Sequence, residues 1–186
     1  MNPYDLTIDQ FQRIVALQAI PQKELELKLA VAAVVLDKPL DEVKKLPISK
    51  VNDIYRPIKS FQLGEVNFKT RLKIDGQWYV MTLYTDQLKA GQLLELYSYN
   101  MTDEMQVVQD LHKILATLAR KCRYGKCFPE KYNGGTHAER AEVFRTKATL
   151  RDAWAVVGFF LLLSRPLLQA ISTSLTQDTE KTTGKE

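Results

Sequence analysis

The sequence predicts an α+β fold: one predominantly helical domain with a small antiparallel β-hairpin packed on the helices. Three observations carry this. Apolar residues recur at helical spacing behind recognisable caps over the first sixty residues and again after residue 102. An Asp-Gly pair at 75–76 separates two β-prone runs. Hydrophobic residues make up 45% and charged residues 26% of the 186, the balance of a chain that can bury a core.

Taken in order, "LTIDQFQRIVAL" is a helix with a legible start. Thr7 and Gln10 can each satisfy an orphan amide of the other's turn, a capping box, and Ile8, Phe11, Ile14 and Val15 then share a face. Pro21 opens a second helix, "PQKELELKLAVAAVVL", lined on one side by Leu25, Leu29 and Ala32 or Ala33; its end is apolar nearly all round and should be buried. "KPLDEVKKLP" reads as a short helix from about Pro39 to before Pro47, and "ISKVNDIY" as another, stopped before Pro57. A hairpin follows at about 68–83, because Asp75-Gly76 suits a type I′ turn between "FKTRLKI" and "QWYVMTLY". A two-stranded hairpin is marginal alone. "LLELYSY", Leu93 to Tyr99, is either its third strand or a short helix.

Thr102 caps a long helix, "DEMQVVQDLHKILATLAR", running to about Arg120. Met105, Val108, Leu111 or His112, Leu115 and Leu118 or Ala119 trace its apolar side, and Asp103 and Glu104 at one end with Arg120 and Lys121 at the other match its dipole. "THAERAEVFRTK" restarts behind a second capping box, Thr136 with Glu139, and Thr149 caps the last helix, "LRDAWAVVGFFLLLSRPLLQAIS". The expected organisation is one domain over 1–175, helical over 1–60 and 102–175, with a polar, disordered tail at 176–186.

Charge is unevenly placed. Arg120 to Arg151 holds nine basic and three acidic residues, net +6 within a chain of net +4. Electrostatic function belongs to that quarter. No basic start followed by an apolar core opens the chain, and two cysteines are no disulfide framework, so a reducing cytoplasm is the expected compartment.

The segment "KCRYGKCFPEKYNGGTHAER" concentrates the chemistry-bearing residues. His112, Cys122, Cys127 and His137 are separated by nine, four and nine intervening residues. His112, however, lies about 15 Å back along a helix, more than two ligands of one zinc can tolerate, and is better placed at the edge of the helix's buried face. Cys122, Cys127 and His137 remain as a metal trio, one ligand short of a closed site and surrounded by positive charge. The cysteine spacing is not Cys-x-x-Cys, and nothing supplies the orienting group or oxyanion site of a Cys–His nucleophile. Five bases between Arg120 and Lys131 interleave with Tyr124, Phe128 and Tyr132, as in single-strand nucleic-acid binders; a solvated loop or a docking surface for an acidic protein reads from the same residues and is preferred to nucleic acid. Arg123, Tyr124 and Lys126 are the contact candidates. Ala153 to Leu163 is an unbroken apolar run of eleven residues, about half a membrane span, and extending it takes in Arg165. It is a core helix or one that offers a face to a partner, with Trp154, Phe159 and Phe160 as anchors. No Gly-rich phosphate loop, His-Glu-x-x-His, Gly-x-Ser-x-Gly or calcium loop is present, so neither an enzyme nor a cofactor is expected.

The order of elements carries a resemblance. "LTIDQFQRIVAL" leads to "LDEVKKLPISKVNDI"; "KAGQLLEL" precedes "LHKILATLAR"; "ERAEVFRTKATLRDAWAVVGFF" and a polar tail follow. Over about residues 7 to 172 the chain resembles the small tail-assembly or baseplate-assembly chaperones of tailed bacteriophages. The resemblance implies a non-enzymatic protein of the host cytoplasm that holds an aggregation-prone tail component until assembly. Its partners would be other phage tail or virion proteins, with self-association open. The competing expectations are a structural component retained in the virion (tail, neck or capsid-associated) and a nucleic-acid-binding protein using the basic loop 120–131.

Overall fold

The computed structural model describes residues 1–62, 64, 67–82, 84–99, 103–123, 129–158 and 160. It is an α+β fold, mainly helical, with one antiparallel sheet of three strands.

Helix α1 (Ile8–Gln18) begins as the sequence predicts: the Gln10 amide donates to Thr7 Oγ1 at 3.1 Å and the Thr7 amide donates to Gln10 Oε1 at 3.0 Å. Helix α2 (Glu24–Leu36) starts three residues later than the expected Pro21. Lys23 is extended, and Glu24 and Glu26 take the first turn, where the dipole favours acids. Asp37, at φ 49°, ends it in the left-handed conformation. Helix α3 (Leu40–Val43) is a single turn. Helix α4 (Ile48–Lys59) runs through Pro57 rather than stopping before it. Pro57 sits in the last turn, where it costs one hydrogen bond, and the buried Ile58 next to it holds that turn on the core.

Strands β1 (Arg71–Ile74) and β2 (Gln77–Met81) lie inside the expected 68–83 and pair from Ile74↔Gln77 to Arg71↔Val80. Asp75 and Gly76 between them have φ 48° and 76°, the two positive values a type I′ turn requires. The third strand is not Leu93 to Tyr99: as in the other expected reading, the stretch is helical through Ser98, in helix α5 (Ala90–Ser98), and Tyr99 is its extended C-cap. It is β3 (Ala119–Lys121), placing Ala119 opposite Met81 and Lys121 opposite Tyr79.

Strand β3 continues helix α6 (Glu104–Leu118) without a loop. The helix ends two residues before the expected Arg120 because, after Leu115, its last three carbonyls are satisfied from outside the helix. Leu115 accepts from the Ala119 amide, Ala116 from Arg140 Nε (2.9 Å), Thr117 from the buried Gln92 Nε2 (2.7 Å) and Leu118 from the Thr82 amide (2.8 Å). With no carbonyl left wanting, the backbone changes period at no cost in unmet hydrogen bonds. At the other end Asp103 caps α6, its Oδ1 accepting from the amides of Met105 and Gln106; the expected cap, Thr102, lies outside the described residues. Met105 is 47% exposed, off the predicted apolar side, while Val107, Leu111, Ile114, Leu115 and Leu118 form the buried face.

Helix α7 (His137–Lys147) follows a 3-10 turn, Gly134–Thr136. The expected Thr136–Glu139 box does not form: Thr136 Oγ1 donates to the Asn133 carbonyl and accepts from Arg140 Nη1, each at 3.2 Å. The last helix, α8, is described over 150–158 and at 160 and is capped as expected, the Asp152 amide donating to Thr149 Oγ1. The predicted tail, 176–186, lies outside the described residues.

The main core gathers α5 to α8 and the sheet around fully buried Leu111, Ile114, Leu115, Phe144 and Leu150. A second cluster joins Leu6 and Ile14 to Val31, Val34, Tyr55 and Ile58, and a small third one holds Ala32, Val43 and Val51. Helix α1 spans the first two, with Ile8 in the main core and Ile14 in the second. The chain entering α1 is bonded to the chain entering α8: the Ile8 amide donates to the Ala148 carbonyl (3.1 Å) and the Leu150 amide to the Leu6 carbonyl (2.7 Å).

Candidate binding site

The metal trio is not assembled among the described residues. Cys122 is buried at the end of β3; its amide donates to the Trp78 carbonyl and its carbonyl accepts from Gln77 Nε2, both at 2.9 Å. Cys127 lies outside the described residues. His137 turns to a different neighbourhood, its Nε2 lying 3.0 Å from Thr117 Oγ1, 3.2 Å from the Lys113 carbonyl and 3.7 Å from Glu95 Oε2. Among the described residues no three His, Cys, Asp or Glu side chains are grouped to hold a metal ion. His112 is half-buried against α1, its Nδ1 3.0 Å from Gln12 Nε2. Burial, reinforced by Lys113 and Arg145, drops its pKa to about 4.

Of the contact candidates, Arg123 is exposed and 3.8 Å from Glu130 Oε1, while Tyr124, Lys126 and Phe159 lie outside the described residues. Phe160 belongs to the main core. Trp154 is half-buried, its Nε1 donating to the Gly64 carbonyl at 3.1 Å. The described part of α8 therefore turns its apolar side chains into the fold: Leu150, Ala153, Val156 and Val157 are fully buried. Among the described residues no helix is long and apolar enough to cross a membrane.

The structure instead brings the basic residues of β3, α7 and the chain between them to one cleft. It has a volume of about 330 Å³ and opens between β3, the turn end of the hairpin and α7. Four bases line it: Arg120, Lys121, Lys131 and Arg140. None of them forms an ion pair among the described residues. Three acids share the wall, Asp75, Glu130 and Glu139, and Glu130 is the one facing Arg123.

Arg140 is the best-fixed of the four. Its Nε holds the Ala116 carbonyl, its Nη1 holds Thr136, and its guanidinium carbon stands 6.0 Å from the Tyr132 ring centroid. Burial lowers its pKa, against the partial compensation of Tyr132 and Glu95. The Tyr132 hydroxyl donates to the Glu95 carboxylate, and burial together with that bond pushes the phenol pKa well up. Tyr132 thus stands as a neutral wall between the cleft and the Glu95–Thr117–His137 group on α5, α6 and α7.

No protein-family model, curated protein or solved structure matches the chain. The cleft's own chemistry therefore carries the functional argument. Its residues come from three separated segments, 74–79, 119–121 and 130–143, so helical or strand periodicity could not have grouped them. The excess of bases in Arg120 to Arg151 was the available signal. What periodicity lacked was the end of α6, read as dipole-matching bases and found as a strand edge.

Proposed function

We propose that the chain is a non-enzymatic assembly protein of the tailed-phage chaperone type, which binds and holds an acidic segment of another tail or baseplate protein. The observation that supports this most directly is the cleft walled by four bases without acidic partners among the described residues. Such charges focus potential in a concave, low-dielectric site and steer a partner of opposite sign. The element-order resemblance supplies the class of partner. Capture runs through charge and the aromatic wall of Tyr132, with Phe160 and its neighbours committed to the core.

The test is co-expression with individual tail components. The chain should keep one aggregation-prone, acidic component in the soluble fraction, and Lys121→Ala/Lys131→Ala should release it at lower salt than the parent. It should also be missing from purified particles. Defined copies in mature particles would move the reading to a structural virion protein, and failure to solubilise any component would end the chaperone reading.

A further inference from the structure

The cleft's two arginines carry an unmet need. Arg120 Nε and Arg140 Nη2 are both buried and have no hydrogen-bond partner among the described residues. Guanidinium N–H groups removed from water without an acceptor cost more than neutral polar groups, because they belong to a charged group. Thr82 Oγ1 is the one other such side-chain atom among the described residues, and the two arginines both line the one cleft. Arg140 is held by two hydrogen bonds and cannot swing out to solvent without giving up the α6 carbonyl it satisfies.

We infer that Arg120 and Arg140 form a carboxylate-binding site in this cleft, taking an Asp, Glu or C-terminal carboxylate of the bound protein. This rests on the reading of the cleft as the docking site for an acidic partner. The charge count favours a monoanion: four bases against three acids leave the wall at +1. A phosphate dianion would face those same three carboxylates. The apolar part of the lining, with Ile74, Ala119 and Val143 beside Tyr79 and Tyr132, suits the short aliphatic stem that precedes a carboxylate. Arginine is the side chain whose fixed donor fork matches a planar carboxylate, and a charge-assisted bond formed away from water is roughly twice as strong as a neutral one.

The experiment follows the arginine Nε–H resonances of the full chain by NMR. The titrants are a capped Ala-Glu-Ala peptide, its Ala-Gln-Ala counterpart and inorganic phosphate. The expected result is a saturable shift of the Arg120 and Arg140 signals with the Glu peptide, none with the Gln peptide, and at least tenfold weaker binding in Arg120→Met. Arg120 makes no hydrogen bond through Nε among the described residues, so Arg120→Met removes none through that atom; the wild-type titration stands on its own should the variant not fold. Equal response to both peptides, no response, or a response to phosphate alone overturns the site. A Glu-specific shift alongside failure to hold any tail component would leave the carboxylate site standing and remove the chaperone reading, so the two can fail separately.

Discussion

His112 is a residue whose acid–base chemistry the fold changes strongly. Its ring is half-buried between α1 and α6, and its pKa falls from 6.5 to about 4. The unfolded chain therefore takes up a proton at a pH where the folded one does not. The stability this neutral ring allows is complete above about pH 6.5 and is lost as pH falls from there towards 4. Asp110 acts lower on the scale. Burial would raise its pKa, but hydrogen bonds from Lys113 and Gln106 outweigh that and leave it lowered, so its contribution disappears only as pH falls below the ordinary aspartate range. Urea midpoints measured from pH 7 to 4 should decline, and His112→Gln should flatten that decline between 6.5 and 4. An unchanged slope in the variant would assign the acid sensitivity elsewhere. Phe144 is the second decisive residue. It is fully buried and meets Tyr79 edge-on with centroids 4.8 Å apart, tying α7 to the sheet beside the cleft. Phe144→Ala should lower unfolding free energy by about 3–5 kcal/mol in chemical denaturation.

At the scale of elements, the ends of helices and the hairpin turn decide where the chain changes course. Thr7→Ala removes half of the α1 capping box and should cost about 1 kcal/mol, read as a shift in denaturation midpoint. Gly76 has φ 76° with open space around it, so Gly76→Ala meets backbone strain rather than a clash and should also cost about 1 kcal/mol. Both features were legible in the sequence because each depends on residues at most three apart. So were the short helices after Pro39 and Pro47 and the Thr149 cap. The errors share a cause. Pro57 stays helical and the Thr136–Glu139 box is absent, because in each case a tertiary partner outweighs the local signal: a buried Ile58, and an Arg140 that claims the Thr136 hydroxyl. Leu93 to Tyr99, open between strand and helix in the sequence, is settled as helix through Ser98 beside the buried Gln92 bonded to Thr117. The same Arg140 and Gln92 let α6 become β3. The cleft was legible only as an excess of positive charge, since its walls come from three separate segments, 74–79, 119–121 and 130–143.

Across the whole molecule, the cores are unequal. The clusters under α2, α3 and α4 are small, while α6 sits in the main core with Ile114, Leu115 and Leu118 fully buried. Native-state hydrogen exchange should find the amides of α3 and α4 opening at lower free energy than those of α6. Uniform protection across both would mean that the N-terminal helices unfold only with the rest.

The seamless passage from Leu118 to Ala119 has a mechanical result. A loop between helix and strand would act as a hinge; here there is none, and the four carbonyls at the junction are each fastened to a different neighbour. The cleft thus resembles a vice with one fixed jaw, the edge carrying Ala119 to Lys121. Whatever widening a guest demands falls on the irregular stretch from Lys131 to Asn133, beyond the point where the Glu130 amide is tied to the Lys121 carbonyl.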